Sequence, residues 1–564
     1  MTPPRIPTDI ADQPFDLIVV GAGINGAGIA RDAAMRGLRV LVLDKGDIAS
    51  GTTSWSTRLI HGGLRYLEHG EVGLVRESLR ERERLLRAAP HLVKPLPLLI
   101  PIYEGDRRGP LTIRAGMVAY DILSFDKSLD GHKMLSQEES LARVPGLNPW
   151  GLKGAAVYYD AQVEYAERLA IENALSARAH GAVVLTYARV DRLLVKDGAV
   201  CGVAVTDVLD GDGAIHTARA PVTINVAGPW VDRVLAGTSD DGTTDQMIGG
   251  TKGSHIVVES FPGAPVDALY VEARRDGRPY FVVPWNDQFL IGTTDTRFTG
   301  DLDRVVANDD EIDYLIAETN RVLPGADLTR ADVTFTYAGV RPLPYQAEGR
   351  EGAITRRHIV HDHAPELDGF LSIVGGKLTT YRNLAQQAVK AAYKKLGRPA
   401  PPARTAREPL PGGGPDFAAF RRRFAIESGL PPRTTEHLLR VYGVRAADVL
   451  ARAAGEPDLL APFSPATGAL AAEVVLAFER EGAVTLADAL LRRTMAGLGP
   501  DVAIGPDQAA AAVAQRHLGW TEERAHREIA AYRDYVSRFR PRALDGGGSP
   551  SSEAGRRAGG EDGS

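Results

Sequence analysis

The feature that most constrains this chain is a glycine-spaced turn near its start. Residues 15–20 are a mostly apolar run ending in β-branched side chains. They lead directly into Gly21-Ala22-Gly23-Ile24-Asn25-Gly26-Ala27-Gly28. Residues 29–36 then read as a helix stopped by Gly37, and residues 39–43 as a second buried strand closed by Asp44. Strand, G-x-G-x-x-G, helix, strand and acidic residue within about thirty residues are the βαβ unit that binds dinucleotides. Gly21 permits the tight turn, Gly23 lets the backbone approach a pyrophosphate, and Gly26 lets helix and strand pack closely. The helix N-terminus offers free N–H groups and the positive end of its dipole to the phosphates. Asp44 is placed to accept hydrogen bonds from ribose hydroxyls and would repel a 2′-phosphate, which disfavours NADP. The motif leaves FAD and NAD both open.

With 564 residues the chain is too long for one core. A composition of 44% hydrophobic and 24% charged residues is that of a globular protein and excludes general disorder. The net charge of −6 gives no global attraction to nucleic acid. The single cysteine, Cys201, rules out a disulfide framework or a cysteine metal cluster and fits a reducing compartment. It follows Asp197-Gly198 and reads as a packing residue in a strand. Residues 1–14 are polar and Pro-rich, without the apolar segment of a signal peptide, and are expected to be disordered. No run of 18 apolar residues occurs, so membrane contact would be peripheral.

Strand-like runs recur at 182–185, 199–206, 222–226, 255–258, 281–284, 289–292 and 371–374, with helical patterns at 163–179 and 310–322. This order suits a Rossmann-like α/β nucleotide-binding domain interleaved with a mixed-sheet substrate domain over 15–397. Its nucleotide-binding parts would be about 15–95, 150–230 and 365–397, and its substrate parts about 96–149 and 231–364. Residues 398–415 are Pro- and Gly-rich and read as a linker. Amphipathic helical patterns follow at 416–427, 434–441, 446–454, 469–481, 486–495, 507–517 and 522–539, with Thr485 and Asp488 resembling an N-terminal cap. They predict an all-helical C-terminal domain over 416–540 and a disordered tail over 541–564.

The stretch from Gly51 through Thr52, Thr53, Ser54, Trp55, Ser56, Thr57, Arg58, Leu59, Ile60, His61, Gly62, Gly63, Leu64, Arg65 and Tyr66 to His69 closely resembles the flavin loop of the FAD-dependent glycerol-3-phosphate dehydrogenases. Later blocks resemble the family in order: 225–230 (NVAGPW), 252–258 (KGSHIVV), 291–295 (IGTTD), 337–343 (YAGVRPL) and 375–382 (GGKLTTYR). The resemblance covers roughly residues 15–540. It implies a D-amino-acid-oxidase-like core with a helical cap, non-covalent FAD, and oxidation of sn-glycerol 3-phosphate to dihydroxyacetone phosphate by hydride transfer from C2 to flavin N5. Electrons would pass to ubiquinone or menaquinone at the cytoplasmic face of the cell membrane. An oxidase relative that passes them to oxygen is the alternative acceptor reading.

That chemistry needs cations for a phosphate, a group to manage the hydroxyl proton, and a held flavin. By resemblance, Arg65, Tyr66, His255, Arg341 and Lys377 line the substrate pocket; arginine's planar fork suits two phosphate oxygens. Histidine is the natural base near neutrality, so His61 and His255 are the candidates, with His255 favoured. Arg341 would stabilise the developing alkoxide. The flavin would be held by Gly21, Gly23, Ile24, Asn25, Gly26, Asp44 and Lys45; by Thr52, Thr53, Ser54, Thr57, Leu59, His61 and Gly62; and by Val190, Gly228, Gly376, Lys377, Leu378 and Thr379. No metal is expected, His361 and His363 included, because no further ligands accompany their spacing. The apolar segments 96–102 and 111–125, flanked by Arg107, Arg108 and Lys127, read either as a bilayer-interface element or as a buried helix with a basic edge. A homodimer is left open. An amine oxidase on the same fold and a flavin-binding sensor are the remaining alternatives; neither accounts for the set Arg65, Arg341 and Lys377.

Overall fold

The structure is a computed structural model; it describes residues 6–210, 213–237, 246–347 and 354–544. The expected disorder of residues 1–5 and 545–564 lies outside them. Residues 6–14 are ordered rather than disordered, because Ile6 and Ile10 bury against the first sheet, each with only 2% of its surface exposed.

That first sheet has six strands in the order Ile359–Asp362, Phe370–Val374, Val222–Asn225, Leu17–Val20, Val40–Leu43, Val183–Leu185. All pairs are parallel except the edge pair formed by Ile359–Asp362. The parallel strands are continuous apolar runs because both faces are covered. Helices Ile24–Met35, Ala166–Ala179 and Tyr381–Lys395 bury Leu17, Val19, Val40 and Val42 on one side. An antiparallel meander, Ala188–Lys196, Ala199–Asp207 and Ile215–Arg219, covers Ile18, Val20, Leu41 and Leu43 on the other. Cys201 lies in this meander.

A second, mixed sheet of ten strands carries the substrate half. Its long strands Val93–Tyr103 and Leu152–Val163 run antiparallel, so the apolar segment 96–102 is an interior strand and cannot lie in a membrane. The segment after it is a helix, Pro110–Leu123, which is neither buried nor basic-edged alone. Ile113, Met117 and Tyr120 face the core, while Leu111, Val118 and Ile122 face out, 82%, 44% and 66% exposed.

The C-terminal region is helical, with a small two-stranded hairpin, Pro462–Ser464 with Ala469–Leu470. Its apolar side chains form one continuous cluster with Tyr158, Trp285, Phe335 and Tyr337 of the substrate half. Residues 398–415 are also pinned down: Arg31 donates to the carbonyls of Glu408 and Pro409, and Thr405 to Asp32.

Candidate active site

The glycine turn builds one end of a cavity of about 1250 Å³. This exceeds the roughly 300–1,000 Å³ of ordinary small-molecule pockets, as a dinucleotide requires. Gly21 sits at φ +112°, where a side chain would strain the backbone, and a Cβ on Gly26 would run into the Gly21 carbonyl. Ile24 N donates to Thr53 Oγ1 (3.0 Å), which ties the flavin loop to the helix N-terminus. Asp44 closes the second strand. Its two oxygens accept from Ala22 N (2.6 Å) and Gly46 N (2.8 Å), so it braces the turn as well as facing the cavity. Burial pushes its carboxyl up to about 6.

Gly21, Gly23, Ile24, Asn25, Asp44, Lys45, Thr52, Thr53, Val190, Gly228, Gly376, Lys377 and Leu378 line this cavity. The remaining flavin-loop residues stand behind the wall and shape it. Ser54 Oγ donates to Ala49 O, Thr57 turns to His255, and Leu59 lies in a strand paired to Gln162. Gly62 N donates to Tyr120 Oη (2.9 Å) and Asp160, and His61 N donates to Thr379 Oγ1 (3.2 Å). Several buried atoms on the wall have no hydrogen-bond partner among the described residues: Asn25 Oδ1, Trp230 Nε1, Lys377 Nζ and Arg492 Nη1. A polar ligand such as FAD fits that set of unspent donors and acceptors.

Strand register assembles a polar cluster beside it. Thr251–Val258 pairs antiparallel with Val333–Arg341, setting Thr251 opposite Arg341 and His255 opposite Tyr337. Thr251, Gly253 and His255 therefore share one face. Gly253 has no side chain there, and the Arg341 guanidinium lies over it. Arg341 donates to Asp295 Oδ1 (3.2 Å) and Thr293 Oγ1 (3.1 Å). Burial holds its guanidinium down to about 10. His255 Nε2 is 2.9 Å from Thr57 Oγ1, and its Nδ1 is buried without a partner. Burial first, then the Arg341 and Arg58 charges, keep the His255 ring well below the usual histidine range and therefore neutral.

Lys377 Nζ stands 4.5 Å over the Tyr66 ring. Burial lowers its ammonium to about 7. Burial and that neighbouring charge hold His61 at about 3, so it too is neutral. Arg65, Arg341 and Arg356 all act on the buried Tyr66 hydroxyl. Arg65, Tyr66, His255, Arg341 and Lys377 thus fall in one neighbourhood, with His61 close to Lys377.

The sequence reading missed Arg356. It forms an ion pair with Asp295 (3.4 Å) beside Arg341 and leaves Nη1 buried and without a partner among the described residues. Arg278 approaches the same carboxylate at 3.8 Å. Burial would raise Asp295, but Arg341 and Arg356 outweigh it and keep the carboxylate ionised. In sequence Arg356 is one of an adjacent arginine pair, Arg356-Arg357, which reads as surface charge.

The fold and this constellation define an FAD-dependent oxidoreductase, and the profile of the family described as "FAD dependent oxidoreductase" matches residues 16–382. A second profile, "C-terminal domain of alpha-glycerophosphate oxidase", matches residues 403–525. The chain is 48% identical to a glycerol-3-phosphate dehydrogenase of Synechocystis, over 94% of this chain and 97% of that one. It is 38% identical to a D-erythritol 1-phosphate dehydrogenase of Brucella abortus, over 85% and 94%. The solved glycerol-3-phosphate dehydrogenase of Bacillus halodurans, complexed with FAD, superposes with a TM-score of 0.75 at 28% identity, covering 94% of this chain and 96% of that one. This chain belongs to the FAD-dependent glycerol-3-phosphate dehydrogenase family.

Proposed function

We propose that this protein oxidises sn-glycerol 3-phosphate to dihydroxyacetone phosphate. FAD, when bound, supplies the acceptor for the hydride leaving C2, and a membrane quinone takes the electrons onward. The observation that carries the substrate reading is the convergence of Arg341, Arg356 and Lys377 on a pocket whose only acidic partner at the arginines is Asp295, among the described residues. A phosphate dianion suits that excess of buried positive charge. Arg65, Arg356 and Lys377 grip the phosphate, and Tyr66 packs beneath Lys377. Arg341, held by Asp295 and Thr293, supplies positive charge beside the C2 oxygen and stabilises charge that develops there. His255, neutral and held by Thr57, accepts the hydroxyl proton. The loop around His61 and Gly62, anchored by Tyr120 and Asp160, excludes water from the reacting face.

Membrane attachment rests on a different feature. Leu111, Val118 and Ile122, spaced seven and four apart on the helix Pro110–Leu123, form an outward apolar stripe with Phe125 (78% exposed) beyond its end. Arg107 and Arg114 are exposed beside it. We read this stripe as an interfacial contact with the inner face of the cell membrane, where quinone is available. No helix among the described residues is long and apolar enough to cross a membrane.

The test is anaerobic mixing of holoenzyme with sn-glycerol 3-phosphate or D-erythritol 1-phosphate while following flavin absorbance, then adding a quinone analogue or oxygen. Rapid bleaching by the first substrate and reoxidation by quinone are expected. Bleaching only by the four-carbon ester would move the substrate assignment. Stoichiometric peroxide with oxygen as the faster acceptor would replace quinone by the oxidase reading.

A further inference from the structure

The helical C-terminal domain has no part in the chemistry above, yet it forms a wall of the cofactor cavity. Leu486–Asp488 is one α-helical turn that runs into a π-turn, Ala489–Arg493. From this turn two arginines reach across to Asp47, three residues beyond the Asp44 that ends the second Rossmann strand. Arg492 Nε donates to Asp47 Oδ2 (2.6 Å), and Arg493 donates to both Asp47 oxygens (2.7 and 2.8 Å). Asp488 Oδ1 accepts from Arg492 Nη2 and from Tyr187 Oη, each at 2.6 Å. Tyr187 N in turn donates to Gly46 O (3.0 Å), so the clasp closes on the strand end itself. Asp47, Asp488, Arg492 and Arg493 are all buried.

The two arginines differ in one respect. Arg493 spends its donors on Asp47 and the Glu481 carbonyl and does not reach the cavity. Arg492 lines the cavity, is 3% exposed, and its Nη1 has no partner among the described residues. Two carboxylates thus fix the plane of the Arg492 guanidinium on a cavity wall that it shares with Asp44, Asp47 and Tyr187, and leave Nη1 without a partner among the described residues. In a dinucleotide fold the space beside that wall belongs to the adenosine half, on the ribose side of the pyrophosphate. Buried donors of a charged group are costly to leave unmade.

We propose that Arg492 is a cofactor-binding residue: it donates from the C-terminal domain to an oxygen of the adenosine diphosphate half of FAD, so that this domain retains the flavin rather than taking part in its chemistry. This rests on FAD as the cofactor, which the flavin content of wild-type holoenzyme checks separately.

The test compares Arg492→Lys with Arg493→Lys. Both keep a positive charge against Asp47, and both loosen the clasp; only the first removes a donor from the cavity wall. Release of FAD from holoenzyme is followed by the rise of free-flavin fluorescence on dilution, and ADP is used to compete with FAD for the apoprotein. Arg492→Lys is expected to release FAD at least about tenfold faster than wild type, the scale of one charge-assisted hydrogen bond, and to weaken ADP competition similarly. Arg493→Lys is expected to stay much closer to wild type in both. Equal acceleration in the two variants, or none in Arg492→Lys, overturns the proposal. Faster FAD release with unchanged ADP competition overturns the assignment to the adenosine half. If Arg492→Lys does not fold, Arg492→Gln, which keeps a neutral donor, takes its place with the same outcomes.

Discussion

Lys377 is a buried ammonium to which the protein gives a ring face but no hydrogen-bond acceptor, and this makes its removal informative. Its pKa falls from the ordinary 10.5 to about 7. At 1.36 kcal/mol per tenfold change in proton affinity, that corresponds to roughly 4 kcal/mol of destabilisation of the folded protein at neutral pH. The folded value lies below the unfolded one, so between pH 7 and 10.5 the unfolded chain binds more protons. Stability conferred through this group therefore rises with pH across that window, by up to about 1.4 kcal/mol per pH unit. Lys377→Met keeps the volume and removes the charge. In apoprotein the variant should show a higher urea midpoint than wild type near pH 6.5, with the gap closing towards pH 9.5. Substrate binding should move oppositely: KM for sn-glycerol 3-phosphate should rise about tenfold to a hundredfold, the scale of a hydrogen bond to a charged group. Binding to wild type near pH 8 should also take up protons, measured as a buffer-dependent heat in calorimetry. A variant that unfolds at or below the wild-type midpoint near pH 6.5, or a gap that does not change with pH, would refute the reasoning.

Gly26→Ala should yield protein without bound flavin, because a Cβ there meets the Gly21 carbonyl; a normal visible flavin spectrum would contradict this. Because burial and the neighbouring arginines keep His255 neutral, His255→Asn should lower kcat without adding or removing an acid limb of kcat/KM; an acid limb near 6.5 that the variant abolishes would count against it. Arg356→Ala should raise KM by on the order of tenfold or more while leaving the flavin spectrum unchanged, and an unchanged KM would remove Arg356 from the phosphate site. Ile122→Asp with Phe125→Asp should abolish co-flotation with anionic lipid vesicles but leave turnover with a soluble electron acceptor intact; retained flotation would place the membrane contact elsewhere.

The glycine turn was legible because its physics is local. Gly21 needs a positive φ and Gly26 needs the absence of a Cβ, and both demands are met within six residues. The helical patterns of the C-terminal region were legible for the same reason: hydrophobic spacing marks a helix without its partner. His255 and Arg341 were different. Eighty-six positions separate them in sequence, and what unites them is the antiparallel register of two strands; resemblance alone had grouped the two residues, and it did not give that register. Arg356 escaped because its meaning is a convergence on Asp295 that no spacing encodes. The pattern at 486–495 read as an ordinary amphipathic helix. Adjacent residues on such a helix point about 100° apart, so the reach of Arg492 and Arg493 to one carboxylate depends on the π-turn and on Asp47, far away in sequence.

The balance of buried charge separates the substrate readings. Arg341 and Arg356 share the carboxylate of Asp295, Arg278 is divided between Asp295 and Asp276, and Lys377 stands nearby over Tyr66. A buried cation is tolerated where a counter-charge offsets its desolvation. An amino acid presents one carboxylate and an ammonium, and the ammonium would be repelled by this cluster. A phosphate monoester presents close to two negative charges and no positive one, so it would offset the cluster and, bound beside Lys377 as proposed, would raise that residue's proton affinity. The neutral rings of His61 and His255 fit the same scheme. A histidinium would add to the positive charge of the free site, so in the proposed scheme His255 takes the hydroxyl proton only once the bound ester has offset that charge.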